Sequence, residues 1–255
     1  MTVSPSSIRR TSTSGPLPAA VVVVGATGAV GSGIVEALLE AGTPVIGVAR
    51  DAAALEALRE RLGNSRLLET VTGSVASERA GAELAAVLDR SRRPLAGVVL
   101  SVTGPRERSR VIEQSVDALQ ATFNTNLFPH LVAARHLLPL LLQSQRRLPF
   151  LVIGSPSAEM PWAGYGHISV AAAALRMLVR VLHDEHEGQS VRVQMLTVGA
   201  PVRTPQNRTC ACPEWPSSID VGRRVAAVLA DPHSNQPLLR YDTNPLPAAA
   251  ARGRG

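Results

Sequence analysis

Short, unbroken apolar runs alternate along the chain with segments whose apolar residues recur every third or fourth position. Val21-Val22-Val23-Val24 is the first run, and Ile34, Leu38 and Leu39 follow at helical spacing before Gly42. A run with no polar position has no water-facing side, so it reads as a central strand of a parallel sheet covered on both faces. Pro44 to Val48, Leu67 to Val71, Ala96 to Leu100, Phe150 to Ile153, Val191 to Leu196 and Leu238 to Tyr241 supply the further strands. Between them lie Ala52 to Leu62, stopped by Gly63-Asn64, then Ala82 to Leu88, a long segment from Arg110 to Gln143, Gly166 to Asp184 and Val221 to Leu229. These are the predicted helices. Strand and helix alternating at this pace predict right-handed crossovers.

The first run breaks into Gly25-Ala26-Thr27-Gly28-Ala29-Val30-Gly31. Glycines at intervals of three suit a tight strand-to-helix turn whose backbone amides face outward at a helix N-terminus, where a pyrophosphate can approach closely. Small residues there could also serve packing alone. With strand, turn, helix and second strand in sequence, the unit reads as dinucleotide-binding, and the fold class as a Rossmann-type, doubly wound α/β sheet in a single domain. The tip of the second strand decides which dinucleotide. A carboxylate there suits the ribose hydroxyls of NAD, whereas a cation suits the 2′-phosphate of NADP. The tip is Ala49-Arg50, with Asp51 one residue later as the cap of the next helix. NADP(H) is therefore expected over NAD(H), the alternative being that Arg50 is only surface charge.

The charge of +6 looks like a nucleic-acid signal until it is located. Arg9, Arg10, Arg252 and Arg254 sit in terminal stretches without acidic residues. Without them the 26 basic residues become 22 against 20 acidic ones, so no nucleic-acid partner is expected. All the basic residues are arginines; the chain has no lysine. No mechanism that needs a lysine ammonium can operate in it. Cys210 and Cys212 are too close for an ordinary disulfide and lack the companions of a zinc site, so no metal is expected and a reducing, cytoplasmic setting is. No apolar stretch reaches membrane length. Residues 1–18 read as a disordered leader, 19–242 as the folded domain and 243–255 as a disordered tail. Within the domain, about 199–217 is a proline-rich loop placed to act as a lid.

The order of elements and the glycine turn resemble the short-chain dehydrogenase/reductase (SDR) family over roughly residues 19–242. Phe123-Asn124-Thr125-Asn126-Leu127-Phe128 resembles the family's asparagine segment, and Leu151-Val152-Ile153-Gly154-Ser155 its serine strand. Val202-Arg203-Thr204-Pro205 resembles the stretch in which a threonine meets the cofactor. The resemblance implies Asn126 as the residue that bends the middle helix and holds a relay water, and Ser155 as the hydroxyl on a substrate carbonyl. It implies Gly25, Thr27, Gly28, Val30, Gly31, Arg50, Gly104 and Thr204 as cofactor contacts, and a homodimer or homotetramer acting on a small molecule.

The chain also departs from that pattern. The first two glycines of the turn are one residue closer than in the compact members. Around Gly73-Ser74 an acid that commonly meets the adenine is missing, and Ser101-Val102-Thr103-Gly104 replaces an Asn-Ala-Gly segment. The family's Tyr-x-x-x-Lys pair, a proton-transferring phenol with a lysine that lowers its pKa, is not in register. Aligning Ile168-Ser169-Val170-Ala171-Ala172 with Ala-Ser-Lys-Ala-Ala puts Gly166 and Val170 at the two positions. A shift by one residue offers Tyr165 as the acid with Ser169 a turn later, and His167 is a further candidate. Three outcomes follow: a reductase with a reduced catalytic set, a non-redox enzyme on the same scaffold that may need no cofactor, or a non-catalytic NADP(H)-binding protein.

Overall fold

The computed structural model describes residues 17–242. All of the expected leader except Leu17 and Pro18, and the whole expected tail, lie outside the described residues. Seven parallel strands form one sheet in the order β3-β2-β1-β4-β5-β6-β7. They are β1 (Ala20–Val24), β2 (Val45–Ala49), β3 (Leu68–Thr72), β4 (Leu95–Leu100), β5 (Leu148–Gly154), β6 (Val191–Val198) and β7 (Leu238–Tyr241). The helices are α1 (Gly31–Glu40), α2 (Ala52–Arg61), α3 (Glu78–Arg90), α4 (Val116–Asn126), α5 (Phe128–Leu142), α6 (Gly166–Glu185) and α7 (Ser218–Ala230).

The four valines of β1 show why the run is continuous. Val22 and Val24 enter one core with Leu137, Leu141, Phe150 and Val179, while Val21 and Val23 enter the other with Ile34, Leu38, Val225 and Val228. Successive side chains of a strand point to opposite faces, so a strand with helices on both sides has no position left for a polar residue.

Helix starts lie earlier than the apolar pattern suggested. Helix α3 begins at Glu78, capped by Ser77, and α7 at Ser218, where Ser217 and Asp220 form a capping box. The first turns of both are polar, so hydrophobic periodicity passes over them. The expected long middle helix is two helices. Leu127 separates α4 from α5, and Pro129 explains the break, since it supplies no amide to continue the hydrogen bonding of α4 and sits in the first turn of α5. At the far end of α7, buried Arg192 of β6 donates to the carbonyls of Val228 and Leu229, both at 3.0 Å, and of Asp231. A cation on the last carbonyls of a helix meets its negative end.

Helices α1 and α7 cross in backbone contact. A Cβ at Gly33 would run into the Ser218 backbone, and one at Gly222 into the Gly33 carbonyl. Among the described residues no helix is long and apolar enough to cross a membrane.

Candidate active site

Strand order reverses between β1 and β4, the point at which open α/β sheets leave a crevice outside the carboxyl ends of their strands. Two cavities occupy it, of about 280 and about 450 Å³, and they share Gly28, Ser101, Val102 and Thr103. Together they form one groove.

The smaller cavity lies over β1, β2 and β3. Gly25, Thr27 and Gly28 line it, with Arg50, residues 73–76 and Gly104. Gly25 has φ +85° and a Cβ there would run into the Ser101 carbonyl, so only glycine makes this turn. Gly31 lines neither cavity: it sits behind the turn, against the Gly25 carbonyl. Val30, expected at the cofactor, caps α1 and lines the larger cavity. No side chain caps α1, whereas α2, α3, α4 and α7 are capped by Asp51, Ser77, Ser115 and Ser217. Gly28, Ala29 and Val30, which lead into α1, line the groove, so an uncapped helix start lies beside it, a setting that fits an anionic group.

Among the described residues, Arg50 is the only charged one lining the smaller cavity. The neighbouring acid is committed elsewhere: Asp51 Oδ1 accepts from the amides of Ala53 at 2.8 Å and Ala54 at 3.2 Å. The rim that would read the ribose of a dinucleotide therefore carries a cation and no carboxylate.

The larger cavity has apolar walls from Ile153, Trp162, Ile168, Leu175, Met195, Val198 and Val202. Ser155 and Asn126 line it, as does Thr204, whose amide donates to Asn207 Oδ1 at 2.8 Å. Ser155 follows β5, and its Oγ lies 3.0 Å from that of buried Ser157. Asn126 ends α4, and its side chain is fully engaged. Oδ1 accepts from the Gly104 amide at 3.0 Å and Thr103 Oγ1 at 3.2 Å; Nδ2 donates to the Thr122 carbonyl at 3.1 Å and Thr125 Oγ1 at 2.9 Å. It is a clip between the helix end and the loop after β4. The helix break expected at this residue is in place.

Helix α6 corrects the residue alignment drawn from the sequence. Its cavity-lining residues are Ile168, Ala172 and Leu175, one helical stripe. Val170 is about 200° around the axis from Ile168, is 46% exposed and lines neither cavity. Gly166, two residues before Ile168, is likewise off the stripe and packs under Val111. The one-residue shift does not fit the stripe either, because Ser169 is about 100° around the axis from Ile168. Tyr165, the residue preceding α6, is not among the lining residues, and its hydroxyl has no partner among the described residues. Ser169 Oγ accepts from the Trp162 amide at 3.2 Å. His167, the further candidate acid, lines neither cavity and is buried with Nδ1 3.1 Å from Gln114 Nε2.

The proline-rich loop forms one wall through Ala200, Pro201, Val202, Thr204 and Asn207, and Trp162 is the indole at the cavity. Cys210 and Cys212 are free and exposed. Among the described residues no group of three His, Cys, Asp or Glu could hold a metal ion. Arg106 was not anticipated. It lines the larger cavity from the loop after β4, a stretch with no periodicity to single it out.

No curated protein matches the sequence. Solved structures share the fold. The chain is similar to a short chain oxidoreductase from Pseudomonas aeruginosa described as containing an atypical catalytic center: its apo structure has 25% identity over 91% of this chain and 98% of that one, with TM-score 0.76. The NADPH-bound structure of a Pseudomonas aeruginosa oxidoreductase so described has 23% identity over 88% and 96%, with TM-score 0.74. Serine dehydrogenase from Escherichia coli has 22% identity over 87% and 96%, with TM-score 0.73. The short chain dehydrogenase family model matches residues 19–211, from the residue before β1 to beyond β6. With all but the last helix and strand inside that match, the chain belongs to the short chain dehydrogenase family.

Proposed function

We propose that the protein is an NADP(H)-dependent oxidoreductase acting on a carbonyl or alcohol of a small apolar metabolite. The observation that carries the reading is the rim of the smaller cavity, where Arg50 is the only charge and Asp51 is held by its own helix. A guanidinium there suits a 2′-phosphate. The uncapped start of α1 and the turn at Gly25 and Gly28 suit the pyrophosphate, and Thr204 and Val30 suit the nicotinamide end. Bound in this groove, the cofactor supplies a hydride to the carbonyl carbon. Ser155 then donates a hydrogen bond to the carbonyl oxygen, with Ser157 as its hydroxyl neighbour, while the apolar walls exclude water. Asn126 positions the loop after β4. Tyr165 contributes a proton only if the first turn of α6 brings its phenol inward.

Titration with NADPH and NADH, followed by nicotinamide fluorescence, tests this reading. NADPH is expected to bind about 10- to 100-fold more tightly than NADH, with Arg50→Gln erasing the difference. No binding of either at about 1 mM, roughly 4 kcal/mol, ends the redox reading.

One observation favours a second reading. No Tyr, Lys, His, Asp or Glu lines the larger cavity, so proton transfer there rests on hydroxyls or water. Non-redox catalysis, or cofactor binding without catalysis, would leave bound NADPH unoxidised by every carbonyl offered. Cytoplasmic location and a homodimer or homotetramer complete the proposal; Val170, Met177 and Val181, all exposed along α6, form an apolar stripe consistent with self-association.

A further inference from the structure

Among the described residues, Arg106 is the only charged one lining the larger cavity. Among the described residues it has neither an ion pair nor a hydrogen bond, unlike Arg93, Arg110, Arg135 and Arg240, each of which meets a carboxylate. Its backbone is nonetheless held. Two residues earlier the Gly104 amide donates to Asn126 Oδ1 at 3.0 Å, and three residues later the Ser109 amide donates to the Gly164 carbonyl at 2.8 Å, where Ser109 pairs with Tyr165. Residues 104–109 thus form an arch fixed at both ends, with Arg106 near its middle. Across the cavity stand Ile153, Trp162, Ile168, Leu175 and Met195.

An unpaired guanidinium on a fixed arch above an apolar chamber recognises a ligand with an anionic group at one end and a hydrocarbon body. Resting on the reading of the groove given above, we propose that the substrate is an apolar carboxylic acid, such as a medium-chain oxo or hydroxy acid, and that Arg106 binds its carboxylate. Planar, two-pronged pairing of guanidinium with carboxylate fixes orientation as well as affinity. Ser155 then holds the carbonyl while the chain packs against Ile168 and Leu175.

The test uses the full protein and two probes of nearly the same shape, hexanoate and hexanamide, titrated by calorimetry with and without NADP⁺. Hexanoate is expected to bind at least about tenfold more tightly than hexanamide, and Arg106→Gln to remove that preference while leaving the affinities for hexanamide and NADPH as they were. Equal binding of the two probes, binding of neither, or a preference that survives in Arg106→Gln overturns the proposal. Loss of NADPH affinity in Arg106→Gln also overturns it, by making Arg106 a cofactor contact. Calorimetry without NADP⁺ separates this from the proposed activity. A carboxylate preference in a protein that does not bind NADPH ends the redox reading alone, and NADPH-dependent reduction of 2-oxohexanoate and its methyl ester at equal kcat/KM ends the carboxylate reading alone.

Discussion

At the scale of single residues, the proton is the question. Ser155 lines the cavity together with the hydroxyls of Ser101, Thr103 and Thr204, whereas Tyr165, just before α6, is outside the lining. Ser155→Ala is expected to lower kcat for NADPH oxidation by about 10²-fold, and Tyr165→Phe to change it by no more than about threefold, since a positioned acid contributes about 10²- to 10⁴-fold. The reverse ranking would give the proton to Tyr165. Local motifs singled out Asn126 at the end of α4, Ser155 just after β5 and Thr204 in the loop after β6, and all three line the larger cavity. Val170 was misplaced because a one-residue shift turns a helix by about 100°, which a local alignment does not resolve and a cavity-facing stripe does. Arg106 was invisible because its role comes from two distant contacts, at Asn126 and Gly164, that no pattern encodes.

At the scale of elements, the strands and the starts of α2 and α6 were legible, and the starts of α3 and α7 were not. Strands buried on both faces announce themselves as apolar runs, whereas Ser77 and Ser217 begin their helices through single hydrogen bonds on polar turns. The crossing of α1 and α7 had no periodic signal either, because its contact surface is the two missing side chains of Gly33 and Gly222. Gly222→Ala would place a methyl group against the Gly33 carbonyl and push the helices apart. A loss of about 1–3 kcal/mol is expected, or roughly 3–10 °C in Tm, read by thermal unfolding. An unchanged Tm would mean that the two helices part without cost.

At the scale of the whole molecule, acid stability traces to one buried imidazole. His130 of α5 is 2% exposed and neither ring nitrogen has a hydrogen-bond partner. Burial pushes its pKa from 6.5 down to about 4, although the nearby carbonyls of Asn126 and Leu127 oppose the shift. The folded state therefore binds fewer protons than the unfolded state between these values. The stability from keeping His130 neutral is complete above pH 6.5 and declines as pH falls toward 4, by about 3 kcal/mol. Asp220 adds a smaller loss at lower pH, because hydrogen bonding from Ser217 depresses its pKa and that contribution disappears as pH falls through the depressed value. Denaturant unfolding from pH 7 to 4 is expected to show a flatter decline in His130→Leu, which also removes two unpaired polar atoms from the core. An identical decline in both proteins would place the acid sensitivity elsewhere.

The contact between α1 and α7 also sets an order in time. The helix that follows the glycine turn is seated by a helix almost two hundred residues later in the chain. During synthesis the glycine turn leaves the ribosome long before its supporting partner exists. A chain broken off before Ser218 would carry every residue that lines the groove but lack the helix that seats α1, so the dinucleotide motif would be present without its support.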